Sequence, residues 1–225
     1  MKRFVPQAIL FDAYGTLFDV YSVGQRAEVL FPGQGVALAR AWRDKQVEYT
    51  RLRSMARQYR PFWEITQDAL RFCAKALGLN LTPQAQEDLM QTYSQLDAFS
   101  ENIAVLQQLK ERGIPLAIHT NGNPDMVAMA VRSAGMTGLF DVVLSADQVK
   151  KYKVDAAVYQ LAPDYFKKPA ADLLFVSSNG WDICGAAWFG FKTFWVNRAG
   201  QPAEELGVVP TFEGRDLNDI FKALI

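Results

Sequence analysis

Cysteine is scarce in this chain of 225 residues, and the sequence carries no net charge. Cys73 and Cys184 lie far apart and do not form a Cys-x-x-Cys pair, so we expect two reduced, buried thiols rather than a disulfide or a metal site. The 24 basic side chains balance the 24 acidic ones. Because nucleic-acid surfaces and acidic tails depend on an excess of one sign, neither is expected.

Long apolar runs are lacking as well. No stretch of the sequence is long enough to span a membrane, and residues 1–7 do not contain the apolar region of a signal peptide. Gly33 and Gly35 do not form a dinucleotide-binding fingerprint, because no Gly-x-Gly-x-x-Gly motif follows a predicted strand. We therefore expect a soluble, cytoplasmic protein without a membrane or nucleic-acid partner.

Hydrophobic residues, by contrast, make up 50% of the sequence, which is ample for one large core or for a core domain with a smaller insert. Five short apolar runs predict buried parallel strands, since such strands are apolar on both faces. The runs cover residues 8–11, 115–119, 142–144, 173–176 and 193–196. From about residue 100 they alternate with helical patterns, which indicates an α/β fold with a Rossmann-like, doubly wound parallel sheet.

The region between the first predicted strand and about residue 95 is different, because it contains helical patterns and no clear strand. Apolar residues recur there at helical spacing, and Pro61 interrupts the pattern. The helical segments cover residues 38–59, 65–76 and the residues that follow Thr82-Pro83. We predict a helical cap over residues 18–95, inserted after the first strand, and a core domain formed by residues 1–17 and 96–225.

The first predicted strand is followed by the run Asp12-Ala13-Tyr14-Gly15-Thr16. An acidic residue between a buried strand and a Gly-Thr turn is a carboxylate held in place. A phosphoryl-transfer enzyme of this design needs a second aspartate two residues later, to protonate a leaving oxygen; Tyr14 stands there and cannot do so at neutral pH. The motif therefore indicates a carboxylate nucleophile whose reaction needs neither a metal ion nor a proton on the leaving group.

Polar clusters follow three further strands: residues 120–122, Lys153 and residues 177–182. In open α/β sheets, ligands bind at the C-terminal ends of the strands, so these clusters should converge with Asp12. In this order, the clusters resemble the motifs of the haloacid dehalogenase superfamily, and the likeness extends along nearly the whole chain. Tyr14 and the segments 42–46 and 175–182 resemble more specifically the L-2-haloacid dehalogenases.

The resemblance implies cofactor-free hydrolysis of L-2-haloalkanoic acids, small halocarboxylates, to D-2-hydroxy acids. Asp12 would displace halide from C2 and form an ester. Water would then attack the carbonyl carbon that belongs to Asp12. The attack from behind inverts C2. Halide is a good leaving group and needs no general acid, which suits Tyr14.

The resemblance also assigns catalytic roles. Thr16 would orient Asp12, and Lys153 would keep that carboxylate ionised beside an anionic substrate, although Lys150 and Lys151 make the choice ambiguous on charge alone. Asp182 would bond Lys153 and help to position or activate the hydrolytic water. The implied catalytic set is Asp12, Thr16, Arg43, Lys153, Ser177, Asn179 and Asp182.

A pocket for the substrate and the departing halide is implied as well. The fixed guanidinium of Arg43 would take up the halide, with the amide of Asn121 and the ring edge of Phe62. The Thr120 hydroxyl would hold the substrate carboxylate, and Trp181 would close the pocket. The implied binding set is Ala13, Tyr14, Arg43, Phe62, Thr120, Asn121, Tyr159 and Trp181, with no metal ligand.

Four points stay open in the sequence. His119, the one histidine, suggests a catalytic base, but strand alternation turns it away from Thr120, which favours a structural role. The alternative function is a metal-dependent phosphatase or phosphonatase of the same fold, against which Tyr14 argues. A third hypothesis is a catalytically silent member of the superfamily that binds a small carboxylate.

The resemblance implies a homodimer through an apolar cap face such as Leu38, Tyr49 and Leu52, although these residues equally suit the core of one subunit. The preferred halogen and chain length are not indicated.

Overall fold

The structure is a computed structural model that describes residues 4–225, so residues 1–3 of the predicted core segment lie outside the described part. A parallel sheet forms its centre. The strands are β1 Ala8–Phe11, β2 Leu116–Thr120, β3 Val142–Ser145, β4 Leu173–Ser177, β5 Lys192–Val196 and β6 Phe212–Gly214. They lie in the order β3-β2-β1-β4-β5-β6. The five strands predicted from apolar runs are confirmed, whereas the short β6 has no such run and was missed.

The first strand occupies the middle of the sheet. Phe11 pairs with Ile118 of β2 on one side and with Val176 of β4 on the other. All residues of β1, β2 and β4 are buried, which accounts for their continuous apolar character. The backbone N–H of Asp12 donates to the Val176 carbonyl at 2.9 Å. This extra bond holds Asp12 at the C-terminal edge of the sheet.

Nine α-helices accompany the sheet within residues 4–225. They are α1 Val23–Leu30, α2 Gly35–Met55, α3 Phe62–Ala76, α4 Pro83–Tyr93, α5 Asn102–Glu111, α6 Pro124–Ser133, α7 Ala156–Phe166, α8 Gly180–Phe189 and α9 Ile220–Ala223. The helix α4 begins as its sequence predicts, because the Thr82 hydroxyl accepts the Ala85 N–H and Pro83 lies in the first turn. The predicted pattern through Tyr59 was wrong at its end, since α2 stops at Met55, and α1 was not predicted. No helix in the described part is long and apolar enough to cross a bilayer.

Helices α1 to α4, which follow β1 and precede α5 in the chain, pack together as a group. Helix α2 packs on α1 and α3, and α4 packs on the same two helices. The group falls within the predicted cap, whose boundaries at residues 18 and 95 stay a prediction. Its apolar interior continues into the sheet domain through Tyr14, Phe18, Trp42 and Phe62, which belong to one cluster with Ile9 and Phe11 of β1. The end of β1 therefore lies directly beneath α2 and α3.

Candidate active site

Asp12 is buried, and each of its carboxylate oxygens accepts hydrogen bonds. Oδ1 accepts from the Lys153 ammonium at 3.0 Å. Oδ2 accepts from Asn179 Nδ2 at 2.8 Å, Thr16 Oγ1 at 3.1 Å and Ser177 Oγ at 3.4 Å. These donors come from three of the polar clusters that the sequence predicts to converge, so the structure brings them together around one carboxylate.

The turn after β1 fixes the direction of the Thr16 hydroxyl. Gly15 has a φ of 95°, a left-handed conformation that glycine adopts without steric cost. Thr16 Oγ1 accepts the Ser178 backbone N–H at 2.8 Å, so its own proton is free to point at Asp12. The Thr16 hydroxyl thereby joins the polar cluster after β1 to the polar cluster after β4.

Lys153 lies between two carboxylates. Its side chain is 1% exposed, and its Nζ is 3.0 Å from Asp12 Oδ1 and 2.8 Å from Asp182 Oδ2. Burial opposes the charged form, but the charges of Asp12 and Asp182 outweigh it and raise the pKa of Lys153. Lys150 and Lys151 are exposed and pair instead with Asp147 and Asp155, respectively. Of the three lysines, Lys153 is therefore the one that contacts Asp12, and its catalytic role stays a prediction.

Asp182 is wholly buried, and both its oxygens are bonded. Oδ2 accepts from Lys153 and Oδ1 accepts from the Tyr159 hydroxyl at 2.7 Å. Burial raises the pKa of the Asp182 carboxyl to about 6, and the charge of Lys153 together with the Tyr159 hydrogen bond limits the rise. Its protonation therefore changes within a pH range that an enzyme assay can reach.

His119 lies in an aromatic environment. Its ring stacks on Tyr159 with centroids 5.6 Å apart, and Nε2 is 2.9 Å from the Val158 carbonyl oxygen. Burial, helped by the charge of Lys153, lowers the pKa of His119 to about 3. A neutral imidazole that donates to a backbone carbonyl agrees with the structural role favoured by the sequence.

Arg43 projects from α2 toward the end of β1, and it is 9% exposed. Its Nη1 donates to Gln46 Oε1 at 2.9 Å, and its Nη2 donates to the Tyr14 carbonyl at 3.1 Å and to Asn179 Oδ1 at 3.3 Å. Asn179 therefore bridges Arg43 and Asp12, because its oxygen faces the guanidinium and its nitrogen faces the carboxylate. One amide thus contacts both the cation and the carboxylate.

Aromatic rings form the wall beside these polar groups. The Tyr14 ring stacks on Tyr93 with centroids 5.8 Å apart and lies 5.5 Å from Phe62. Burial raises the pKa of Tyr14 well above its usual range, so its hydroxyl stays protonated. That hydroxyl is buried and has no hydrogen-bond partner among residues 4–225.

A small cavity lies where these groups meet. It is lined by Asp12, Tyr14, Arg43, Val47, Thr50, Phe62, Asn121 and Trp181. Its volume of about 10 Å³ matches one water molecule rather than a whole carboxylic acid. An outer cleft of about 480 Å³ shares Arg43, Val47 and Trp181 with it. Arg43, Val47 and Trp181 therefore lie at the boundary between the small cavity and the outer cleft.

Some predicted binding residues lie outside the cavity wall. The Thr120 hydroxyl accepts the Gly122 N–H at 3.0 Å, the Ala13 carbonyl accepts N–H groups of the following turn, and Tyr159 contacts Asp182. Asn121 lines the cavity, while its side-chain oxygen accepts the Lys153 N–H at 3.0 Å. Roles for these residues in binding stay predictions.

Sequence reasoning missed several residues around Arg43. Val47 and Thr50 line the cavity, and Gln46 bonds the guanidinium. Their spacing of three, four and seven residues from Arg43 places them on one face of a helix. That periodicity is the signal which could have found them once Arg43 had been selected.

The sequence resembles known proteins over almost its whole length. A sequence model of the haloacid dehalogenase-like hydrolase family matches residues 6–190. The chain is 45% identical over 214 residues to an (S)-2-haloacid dehalogenase of Pseudomonas sp. strain YL, which covers 95% of this chain and 92% of the relative. It is 44% identical over 214 residues to (S)-2-haloacid dehalogenase H-109 of Pseudomonas putida, with 95% and 96% covered.

Solved structures of similar proteins have the same fold. One L-2-haloacid dehalogenase, 55% identical, superposes with a TM-score of 0.94 over 98% of both chains. An L-2-haloacid dehalogenase from Xanthobacter autotrophicus, with chloropropionic acid covalently bound, is 33% identical and superposes with a TM-score of 0.91 over 97% of this chain and 98% of the other. The present chain therefore belongs to the haloacid dehalogenase-like hydrolase family.

Proposed function

We propose that this protein hydrolyses L-2-haloalkanoic acids to D-2-hydroxy acids through an ester on Asp12. The observation that carries the proposal is one cavity lined by both a buried carboxylate, Asp12, and a buried guanidinium, Arg43. A nucleophile and a cation that face the same small space suit displacement of an anion from carbon. The relatives named (S)-2-haloacid dehalogenases, and the one with chloropropionic acid covalently bound, support the same reaction.

In the first step, an oxygen of Asp12 forms a bond to C2 of the substrate while the carbon–halogen bond breaks. The electron pair of that bond leaves with the halide, and the Arg43 guanidinium and the Asn121 amide stabilise the developing charge. Oδ1 is the attacking oxygen, because Lys153 is its single partner, whereas Oδ2 accepts from three side chains. Attack from the side opposite the halide inverts C2.

In the second step, water attacks the ester carbonyl of Asp12. The carbonyl oxygen is then Oδ2, and its donors Thr16, Ser177 and Asn179 stabilise the negative charge of the tetrahedral intermediate. Asp182, with its pKa raised to about 6, accepts the proton from water. Collapse of the intermediate breaks the bond between the Asp12 carbonyl carbon and the C2 oxygen, and the proton held by Asp182 passes to that oxygen as the hydroxy acid leaves. The second proton of the water is released to solvent, which restores the Asp12 carboxylate.

The side chains of the site favour this reaction over that of a metal-dependent phosphatase. Within residues 4–225, no three His, Cys, Asp or Glu side chains lie close enough to hold a metal ion, whereas hard cations usually require several oxygen ligands. The two carboxylates of the site, Asp12 and Asp182, are both paired with Lys153. Tyr14 keeps its proton and is a poor acid for an alkoxide leaving group.

Halide release from the two enantiomers of 2-chloropropionate tests the function. We expect chloride only from the (S)-enantiomer, D-lactate as the product on chiral chromatography, and no effect of a chelator. Release from the (R)-enantiomer, or L-lactate as the product, would contradict the proposal. Hydrolysis of p-nitrophenyl phosphate that a chelator abolishes would instead support the phosphatase.

The pH profile tests the role of Asp182. As the pH falls through about 6, the carboxyl takes up a proton and can no longer serve as the base, so kcat should fall about tenfold per pH unit below that value. His119, with its pKa lowered to about 3, does not account for such a limb. The Tyr159→Phe variant lacks the hydrogen bond that favours the ionised form, so its acid limb should move to higher pH by about one unit.

The control for this variant is Tyr165→Phe, which removes an exposed hydroxyl from the same helix. Its profile should coincide with that of the wild type. An unchanged acid limb in Tyr159→Phe would exclude Asp182 as the group that titrates, since the phenol is bonded directly to its carboxylate.

A homodimer is also part of the proposal. Leu38, one of the residues considered for an interface, is wholly buried in the core of a single chain. Leu52, Met55 and Phe72 of α2 and α3 are instead exposed, and they are the better candidates for an apolar contact between subunits. Light scattering after size-exclusion chromatography should give twice the mass of 25.2 kDa, and a Leu52→Glu variant should shift it to the monomer.

A further inference from the structure

The guanidinium of Arg43 is buried and held entirely by neutral acceptors. These are the Gln46 side-chain oxygen, the Tyr14 carbonyl and the Asn179 side-chain oxygen. Within residues 4–225, the ion pairs that contain an arginine are formed by other arginines, and these are all less buried than Arg43. A buried cation that is hydrogen-bonded but not neutralised by a direct partner is available to an incoming anion.

Gln46 is fully buried, and hydrogen bonds determine the orientation of its amide. Oε1 accepts from Arg43 Nη1 at 2.9 Å and from the Tyr93 hydroxyl at 3.1 Å. Nε2 donates to Thr66 Oγ1 at 2.7 Å. Because a guanidinium only donates, the reversed amide would set two donors against each other. The acceptor end of Gln46 must therefore face Arg43.

The same chain of hydrogen bonds reaches Phe62. Thr66 Oγ1 accepts from Gln46 and donates to the Phe62 carbonyl at 2.8 Å in the first turn of α3. Arg43 and Phe62 both line the small cavity. One buried amide thus connects the two helices that bring the cation and the aromatic ring to the same space.

We infer that Gln46 is a positioning residue, which holds Arg43 in place for the departing halide without cancelling its charge. The inference rests on the proposed function and adds to it a reason for an amide at this position. Glutamate would keep the shape and accept the same bond, but its charge would neutralise the guanidinium. An apolar side chain would keep the charge but release the guanidinium from its fixed position.

The test compares Gln46→Glu and Gln46→Met with the wild type in two measurements. The first is the inhibition constant of bromide against turnover of (S)-2-chloropropionate, and the second is kcat/KM for the iodo-, bromo- and chloro-substrates. In Gln46→Glu we expect bromide inhibition to weaken by about tenfold or more. The loss of kcat/KM should increase from iodide to chloride, since the stronger carbon–chlorine bond depends more on stabilisation of the leaving anion.

The Met variant tests position separately from charge. It fills a similar volume without hydrogen bonds, and we expect the same order of losses among the halogens with a smaller effect on bromide inhibition. Should the Glu variant fail to fold, the Met variant alone decides the question: a loss that is equal for all three halogens would mean that Gln46 serves packing only.

Gln84→Glu is the matched control, because it adds the same charge at an exposed position on α4. Its bromide inhibition and its halogen series should equal those of the wild type. A Gln46→Glu variant that melts at a lower temperature but retains wild-type bromide inhibition would overturn the inference. Absence of halide release from the wild type would be a different result, since it would remove the proposed function itself.

Discussion

Replacement of Asp12 by Asn is expected to abolish halide release, with a loss in kcat on the order of 10⁴-fold or more. The amide is nearly the same shape as the carboxylate, but its nitrogen and oxygen are poor nucleophiles toward C2. The variant should fold normally, because Lys153 keeps its second partner, Asp182, at 2.8 Å. Chloride release from (S)-2-chloropropionate, with a thermal melt to verify folding, provides the measurement.

Heavy-oxygen water tests the same residue without a substitution. In a single turnover with excess wild-type enzyme, the hydrolytic oxygen should enter the carboxylate of Asp12, because water attacks the ester carbonyl and not C2. Mass spectrometry of the peptide that contains Asp12 should detect the label, while the first product should have none. Label in the first product would contradict an ester intermediate. The matched control for Asp12→Asn is Asp97→Asn, which changes an exposed aspartate and should retain full activity.

Much of the fold was predictable because buried parallel strands have a strong local signal. Runs of apolar residues are necessary when both faces of a strand are covered, and the polar residues that follow each run mark one edge of the sheet. The strand β6 has three residues, of which Glu213 is exposed, so it has no such run. Its position is determined by pairing with β5, a long-range contact that the sequence does not express locally.

The site was predictable where it depends on strand ends, and not where it depends on contacts between helices. Asp12 and Asp182 follow strands, so their convergence follows from topology. The bond between Gln46 and Thr66 joins residues 20 positions apart on two helices, and nothing in the local pattern of either helix indicates it. The volume of the cavity is likewise a result of side-chain packing from both layers.

Removal of the Lys153 charge should affect both activity and stability. In Lys153→Met, the buried carboxylates of Asp12 and Asp182 lose their counter-ion, which costs about 3–5 kcal/mol near neutral pH. We also expect kcat to fall by about 10³-fold or more, since Asp12 loses the ammonium that contacts its Oδ1 and that offsets the charge of an anionic substrate. Urea denaturation between about pH 5 and pH 9 measures the free energy of unfolding.

The pH dependence of this stability loss follows from the carboxylates. The Lys153 charge is one of the causes that hold down the pKa of the Asp182 carboxyl, which is about 6 in the wild type, so the variant should have a still higher value. An acid with a raised folded-state pKa destabilises the fold as the pH rises through that value. The deficit should therefore be largest in alkaline solution and shrink as the pH falls from the variant's raised value toward about 6, below which the Asp182 carboxyl is protonated in both folded proteins.

Lys151→Met separates this effect from the loss of a surface charge. Lys151 forms an exposed pair with Asp155 at 2.9 Å, and such pairs contribute little, so its unfolding curves should follow those of the wild type at every pH. A deficit in Lys153→Met that does not change with pH would contradict the argument, because lost packing has no reason to depend on proton uptake. A deficit that decreases in acid would mean that the lysine stabilises the fold by the same charge that pairs with both carboxylates of the site.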